Sequence, residues 1–363
     1  MAAVAGMKLL DRHIGKAVVQ GTLLALLIVL CLDLFFVFVA ELNRVGQGDY
    51  GFSDALLYVL LILPRHAVDA FPTAALLGSL LGMGELAVNS ELVAIRAAGV
   101  SIARLTRSVL QAGVVMAVAM LAAAEWVAVP AERLAVDQRS MARFGHTSFV
   151  GVRGVWVRDG RRFVNIGQIQ PGNRLAQVRL FELDEDLRLR TLLVAPEAEY
   201  QGDDWVLRDV RRALGDDEGW RVRDFPVLAW KSLLAPEIVE TTLLEPDRLA
   251  LGQLRGYIDY LKANELDAGV YELAFWQRIV APFSSLVMLL LSIPFVFGPL
   301  RRAGAGQRLL AGILVGLAFF LLNRTLGHLG QIYGFNPLAS ALAPTLIFLA
   351  PAVYFVRRVA SGE

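Results

Sequence analysis

The sequence contains very little cysteine and none of the common motifs of nucleotide hydrolases, zinc proteases or serine hydrolases. A single cysteine, Cys31, occurs among 363 residues, which excludes an internal disulfide and a metal cluster built on several cysteines. Cys31 lies in an apolar run, where we expect a small buried side chain. None of the four lysines completes a G-x-x-x-x-G-K-[ST] phosphate loop, and neither H-E-x-x-H nor a G-x-S-x-G elbow is present.

Charge is also scarce, and it is unevenly distributed. Charged residues make up 19% of the chain and the net charge is +1, so the basic surplus of a nucleic-acid-binding protein is missing. Apolar residues make up 56% of the chain, against about 45–50% in soluble domains. Residues 131–270 hold 43 charged residues in 140, whereas the other 223 residues hold 26. A water-soluble block is therefore inserted into an apolar chain.

Six apolar stretches approach or exceed the roughly 20 residues that a membrane-spanning helix needs. They cover about 17–41, 55–84, 106–129, 273–299, 307–327 and 338–357. The first stretch is longer than the apolar region of a signal peptide and has no A-x-A cleavage site, so we expect it to be retained. The predicted fold class is an α-helical membrane protein with three spans on either side of an inserted domain. The predicted domains are 1–130, 131–270 and 271–363.

The lysines and arginines of the short loops predict the orientation. Eleven lie on one side of the predicted membrane and three on the other, and the richer side is expected to be cytoplasmic. The eleven are Lys8, Arg12, Lys16, Arg96, Arg104, Arg107, Arg301, Arg302, Arg308, Arg357 and Arg358, and the three are Arg44, Arg65 and Arg324. Both termini would then be cytoplasmic, and the inserted domain would be periplasmic.

The inserted block reads as short strands. Asp159-Gly160 separates two β-rich segments and is a strong hairpin signal. Further candidate strands are 178–183, 187–194, 205–210, 220–223 and 227–231, with turn residues between them. This spacing indicates an all-β sandwich or roll. Residues 246–265 show helical periodicity, with Tyr257, Tyr260 and Leu261 on one face, and predict a helix that returns to the fourth span.

Charged residues inside the predicted spans are candidates for function. Asp33 lies in mid-span, where insertion costs about 2.5–3.5 kcal/mol, and bundle packing is its preferred interpretation. Arg44 and Arg65 could rim an outward-opening cavity and bind phosphate, because a guanidinium forms paired hydrogen bonds with phosphate oxygens. For Arg44, a snorkelling charge at the interface is the alternative.

His66 and Asp69 lie three residues apart and would share a helix face. A catalytic pair would need a nucleophile beside it, and the sequence offers none. A polar notch in a span is therefore the preferred interpretation, and an intramembrane enzyme acting on lipids is disfavoured.

The loop between the second and third spans predicts a short helix at about 90–98. Asn89 or Ser90 can cap it and Glu91 suits its first turn, while Gly99 suits its end. Ser101 would cap the third span. From the residues alone, this helix could rest at the lipid interface or dock into a cytosolic partner.

Several segments resemble a known family. They are LDRHIGKAV at 10–18, the run at 70–101 that contains SELVAIRAAG, AEWVAVPAE at 124–132, the run at 271–301 that ends in FVFGPLR, and the 327–333 loop. They are similar to the permease subunits of the lipopolysaccharide exporter, the LptF/LptG family, and most closely to its G-type members. The similarity covers nearly the whole chain in the same order.

The resemblance implies a subunit of an ABC transporter that draws lipopolysaccharide from the inner membrane. Its partners would be an F-type sister permease, two copies of an LptB-type ATPase, an LptC-type membrane-anchored protein and an LptA-type periplasmic bridge. ATP and Mg²⁺ would be bound by the ATPase, and this chain would bind no cofactor and no metal. The inserted domain would be a β-jellyroll, and the first two spans would line the cavity and form part of a lateral gate.

The resemblance also assigns roles to individual residues. Head-group phosphates would be held by basic residues, and acyl chains would meet an apolar wall. These substrate-binding residues would be Arg44, Arg65, Arg139, Phe71, Leu76 and Leu77. The short helix would be the coupling helix that binds the ATPase, through Glu91, Leu92, Ile95 and Arg96. Basic residues typical of the family are replaced here by Val37, Asn43 and Val136, which puts individual phosphate contacts in doubt.

A second function class is a membrane-anchored assembly or scaffold protein, in which the inserted domain binds envelope partners and the spans merely hold it. The polar residues Asp33, Arg65 and His66 argue against this class, because pure anchors rarely carry such residues in their spans.

Overall fold

The chain divides into two compact units, one formed by Met1–Val136 with Glu272–Glu363 and the other by Asp137–Tyr271. We analysed a computed structural model. It describes residues 9–144, 155–159, 162–170, 174–184, 188–201, 204–216, 219–230, 245–297 and 304–361.

The helices confirm the predicted membrane architecture. In chain order they are α1 (Leu9–Leu42), α2 (Phe52–Val88), α3 (Glu91–Ala97), α4 (Ile102–Ala123), α5 (Val129–Phe144), α6 (Leu251–Ala263), α7 (Gly269–Phe297), α8 (Ala305–Tyr333) and α9 (Pro337–Ser361). One π-helical turn, Ala124–Ala128, joins α4 to α5 without a break. Within the described residues, six helical segments are long and apolar enough to cross a membrane, as the six apolar stretches predicted.

Glycines bring α1 and α2 into very close contact. A Cβ atom on Gly78 would lie 2.1 Å from the Cα of Thr22, and one on Gly82 would lie 2.1 Å from the carbonyl oxygen of Ala17. A Cβ atom on Gly21 would lie 2.1 Å from the carbonyl oxygen of Gly78. Gly78 and Gly82 form a G-x-x-x-G pattern, which lets two helix backbones approach in a membrane.

The core of the membrane unit combines side chains of α1, α2, α3, α4, α7, α8 and α9. Its fully buried members include Ile14, Leu76, Leu105 and Met288. Its members also include Val18 of α1 and Leu80 of α2, which are close in the chain to the glycine contact. This packing therefore makes the N-terminal half of α1 a structural part of the unit.

The C-terminal half of α1 leaves much of its apolar surface uncovered. Leu27 and Phe36 are 60% and 69% exposed, and Cys31 is exposed as well. The expectation that Cys31 is buried is therefore wrong. The apolar residues around Cys31 belong to a helix surface that suits lipid or another subunit. Apolar neighbours in the sequence therefore did not mean that Cys31 is buried within the chain.

The second unit contains one antiparallel sheet whose strands follow the order of the chain. The strands are β1 (Val155–Asp159), β2 (Arg162–Gln170), β3 (Arg174–Leu183), β4 (Leu189–Gln201), β5 (Asp204–Asp216) and β6 (Gly219–Trp230). The hairpin predicted at Asp159-Gly160 is confirmed, with Val157 opposite Val164. The two candidate strands at 220–223 and 227–231 fall largely on one strand, β6. The described strands form one antiparallel sheet in which each strand pairs with the next along the chain, in agreement with the predicted inserted β domain.

A line of irregular pairing crosses this sheet. One position in each of five strands is paired in none of the ladders, and these positions lie in line across the sheet: Gly167, Gln177, Pro196, Asp209 and Pro226. The ladder between β4 and β5 also skips Ala195 and Val210. Proline has no N–H to donate, while Gln177 and Asp209 adopt φ angles of 55° and 52°. A Cβ on Gly167 would lie 2.7 Å from the Cβ of Gln177, so the first position requires glycine.

The predicted return helix is α6, preceded by a 3₁₀ turn at Pro246–Arg248. Tyr257, Tyr260 and Leu261 are all buried, as their helical spacing predicted. The hydroxyl of Tyr260 donates a hydrogen bond of 2.5 Å to the backbone carbonyl of Arg158. This bond ties α6 to the first strand of the sheet.

Candidate functional site

Asp33 and His66 form a pair between the two first membrane helices. The Nδ1 atom of His66 on α2 contacts a carboxylate oxygen of Asp33 on α1. The side chain of Asp33 is 45% exposed and that of His66 is 25% exposed. In a membrane, such a pair satisfies two polar groups that would otherwise face hydrocarbon. Asp33 thus links two helices of the unit, which is the packing role preferred for it from the sequence.

Arg65 lies between two carboxylates. Its Nε atom is 3.2 Å from an oxygen of Asp69, one turn further along α2, and 4.0 Å from an oxygen of Glu132 on α5. The side chain of Arg65 is 19% exposed, so it is largely withdrawn from the surface. His66 thus contacts Asp33 of α1, whereas Asp69 contacts Arg65 of its own helix.

Arg44 takes part in a compact turn after α1. It pairs with Glu41, whose buried carboxylate also accepts a hydrogen bond of 2.9 Å from the hydroxyl of Tyr50. The backbone N–H of Gly46 bonds to the carbonyl of Tyr50 at 2.9 Å. Arg44 thus compensates a buried acid at the end of α1, a role that the sequence reasoning did not identify.

A second acid–base pair, also missed from the sequence, lies at the π-helical turn. Arg278 of α7 is 3.5 Å from Glu125, which lies in that turn, and their side chains are only 11% and 20% exposed. A π-helical turn contains one extra residue and often marks a functional position. The signal available in the sequence was a glutamate and an arginine inside two otherwise apolar segments.

The three residues of the predicted apolar wall lie at different depths. Phe71 is buried and Leu76 is fully buried in the helix core. Leu77 is partly buried, and its methyl group would be 3.2 Å from a Cβ added to Gly312 of α8. Contact between these side chains and acyl chains stays a prediction. For Leu76 it would require the helices to separate from this arrangement.

Two of the positions at which basic residues are replaced share one apolar cluster. Val37 of α1 and Val136 of α5 both pack against Tyr58, Val59 and Ala135. At these two positions, apolar side chains that pack in one cluster therefore stand in place of the basic residues typical of the family. Arg139, the third predicted phosphate ligand, lies on α5 and is half-buried.

The short helix α3 lies where the sequence predicted it. Ser90 precedes it with a φ of 60° and forms no side-chain cap, so the predicted capping bond from Ser90 is wrong. The left-handed turn, and not a hydroxyl bond, starts this helix. Gly99 follows it with a φ of 87°. Ser101 caps α4 as predicted, because its hydroxyl accepts from the N–H of Arg104 at 3.3 Å.

The two faces of α3 differ. Leu92 is 4% exposed and belongs to the helix core, and Ile95 packs against the same core. Val93, Arg96 and Ala97 are exposed. A partner that reaches α3 from outside would meet this second group, so partner contact by Leu92 and Ile95 themselves stays a prediction.

Glu91 lies at the start of α3 and contacts α1. Its carboxylate is 2.7 Å from the Nε2 atom of His13. Both side chains keep access to solvent, so the carboxylate can still reach another protein. Among the described residues, no group of three or more His, Cys, Asp or Glu side chains is arranged to hold a metal ion.

Comparison with known proteins places these features in one family. Residues 12–358 match the family model described as lipopolysaccharide export system permease LptF/LptG. The chain is 33% identical to the lipopolysaccharide export system permease protein LptG of Escherichia coli strain K12 over 352 residues, which is 96% of this chain and 98% of that protein. It is 31% identical to the protein of the same name from Haemophilus influenzae over 351 residues, again 96% and 98% of the two chains.

The family match covers both groups of membrane helices and the inserted sheet between them. This agrees with the resemblance carried by the 70–101 and 271–301 segments. The chain therefore belongs to the LptF/LptG family of lipopolysaccharide export permeases and is a multi-pass membrane subunit of that kind.

Proposed function

We propose that this subunit extracts lipopolysaccharide from the inner membrane and passes it towards a periplasmic bridge. A separate LptB-type ATPase on the cytoplasmic side would supply the energy. An F-type sister permease would complete the membrane part, with an LptC-type protein and an LptA-type bridge receiving the lipid. ATP and Mg²⁺ would be bound by the ATPase and not by this chain.

The orientation follows from the charge of the loops. The loop side with eleven basic residues would face the cytoplasm, which places α3 against the ATPase and the β sheet in the periplasm. The C-terminal half of α1, with its uncovered apolar face, would then lie in the outer leaflet. This is the leaflet from which the substrate is drawn in this proposal.

The observation that carries the proposal is the position of Arg65. It is a largely buried arginine side chain in a membrane helix, held between Asp69 and Glu132 at 3.2 and 4.0 Å. A phosphate can replace a carboxylate in such an arrangement, because both accept paired hydrogen bonds from a guanidinium. We assign Arg65 to a head-group phosphate, with Arg139 and Arg44 as further candidates.

A photo-cross-link tests this assignment. The variant Arg65→p-benzoylphenylalanine should give a lipopolysaccharide adduct in cells, and depletion of the ATPase should change its amount. Leu27→p-benzoylphenylalanine is the control, since Leu27 lies on the uncovered face of α1 and any adduct there should not depend on the ATPase.

Absence of an ATPase-dependent adduct at position 65 would contradict the proposal. The scaffold function would then be favoured, because a scaffold's spans would meet lipid without any link to ATP hydrolysis.

A further inference from the structure

The N-terminal end of α1 is tied to the loop that carries α3. His13 contacts Glu91 at 2.7 Å, and Ile14 and Val18 belong to the same buried cluster as Leu92. One polar contact and membership of one apolar cluster therefore link α1 to the first turn of α3.

A second tie joins α1 to the helix that follows α3. Asp11 is buried and accepts hydrogen bonds from Nη2 of Arg104 at 3.0 Å and from the hydroxyl of Ser108 at 2.5 Å. The start of α1 is thus bonded on both sides of Gly99, the residue at which the chain turns from α3 to α4.

The backbone on either side of α3 does not by itself fix the position of this helix. The helix has seven residues, too few to be stable without tertiary contacts. It lies between two left-handed residues, Ser90 and Gly99, and such turns interrupt the helical hydrogen bonding that would otherwise couple α3 rigidly to α2 and α4. Its position therefore depends on side-chain contacts: Leu92 and Ile95 pack into the helix core, and Glu91 contacts His13 of α1.

We propose that His13 is a positioning residue that makes α1 follow α3. A displacement of α3 by the ATPase is passed directly to α1 through the His13–Glu91 contact, in addition to its passage through α2 and α4. The glycine contact at Gly21, Gly78 and Gly82 then carries the movement along α1 and α2 as a pair. This inference rests on the proposed function, in which α3 is the element that the ATPase engages.

The test compares His13 variants in the complete transporter, reconstituted in liposomes with the sister permease and the ATPase. His13→Gln and His13→Arg keep an N–H donor for Glu91, whereas His13→Phe removes it. Arg12→Gln, an exposed neighbour on α1, is the matched control. The measured quantities are co-purified ATPase, ATP hydrolysed and lipopolysaccharide delivered to a periplasmic acceptor.

We expect His13→Phe to retain the ATPase and its hydrolysis but to deliver about fivefold less lipid per ATP, the factor that corresponds to one hydrogen bond of about 1 kcal/mol. For His13→Gln, His13→Arg and Arg12→Gln, the lipid delivered per ATP should stay within about twofold of the value for the unaltered complex, which is a smaller change than that expected for His13→Phe. An unchanged ratio in His13→Phe, or loss of the ATPase from that variant, overturns the positioning role. If the unaltered complex itself delivers no lipid in response to ATP, the proposed function fails and this inference fails with it.

Discussion

At the scale of single residues, the described acids and bases of the membrane unit occur largely in pairs. Asp33 meets His66, Glu41 meets Arg44, and Arg65 lies between two carboxylates. Pairing lowers the cost of placing charge in a membrane. An arginine that is to bind phosphate must therefore exchange one anionic partner for another.

The Asp33–His66 pair should stabilise the packing of α1 on α2. Removing either partner leaves the other polar group without this contact, and measured interhelical polar contacts in membranes are worth about 0.6 kcal/mol and at most about 1.7 kcal/mol. We expect a coupling energy in this range from a double-mutant cycle with Asp33→Asn and His66→Asn.

The cycle would be measured as the free energy of unfolding of the purified subunit in mixed micelles. Thr22→Ala, a change on the same helix and away from the pair, should be additive with His66→Asn. Additive effects of Asp33→Asn and His66→Asn would show that the contact contributes nothing to stability.

At the scale of elements, the contact between α1 and α2 depends on glycine at particular positions. Gly78→Ala should cost about 1–3 kcal/mol of stability, the usual effect of overpacking, because the new methyl group would lie 2.1 Å from the Cα of Thr22. Gly84→Ala is the matched control on the same helix, since its Cβ would meet only the end of Arg308 at 3.9 Å.

Thermal unfolding of the two variants in the same detergent measures the difference. If Gly78→Ala unfolded at the same temperature as Gly84→Ala, a methyl group at position 78 would cost no stability, and the close contact between α1 and α2 would be contradicted.

The β sheet shows how residues of one element depend on another. Pro196 of β4 and Pro226 of β6 interrupt the ladders on either side of Asp209 of β5, and Asp209 and Gln177 take left-handed angles. The Asp159-Gly160 signal in the sequence predicted that β1 and β2 are neighbours. Such a signal could not predict the line of irregular pairing, because that line depends on the register of five strands at once.

At the scale of the whole molecule, the chain presents large apolar surfaces that suit lipid or another subunit. Long apolar faces of α1 and α8 are uncovered, and the chain has no phosphate-binding loop of its own. We expect a tagged chain to co-purify from cell membranes with an ATPase that carries such a loop.

Glu91→Lys should lower the amount of that ATPase, because it reverses the charge of the residue that begins α3. Asp54→Lys, at the far end of α2, is the control for a charge reversal and should leave the amount unchanged. Recovery of the chain without any such ATPase would instead favour a scaffold.

The sequence by itself determined the six spans, the inserted sheet, the place of the short helix and the family. These features follow from composition, from turn residues and from patterns that are local along the chain. The G-S-L-L-G segment was also visible in the sequence, although its role in bringing α1 and α2 together was not recognised.

Only the tertiary structure decided which polar groups meet. His13 and Glu91 are 78 positions apart, Asp33 and His66 are 33 apart, and Glu125 meets Arg278 from a distant helix. Local patterns carry no information about such contacts, because they depend on how the helices pack. The same packing decided that Leu92 faces the core while Cys31 faces outwards, although both lie in apolar surroundings in the sequence.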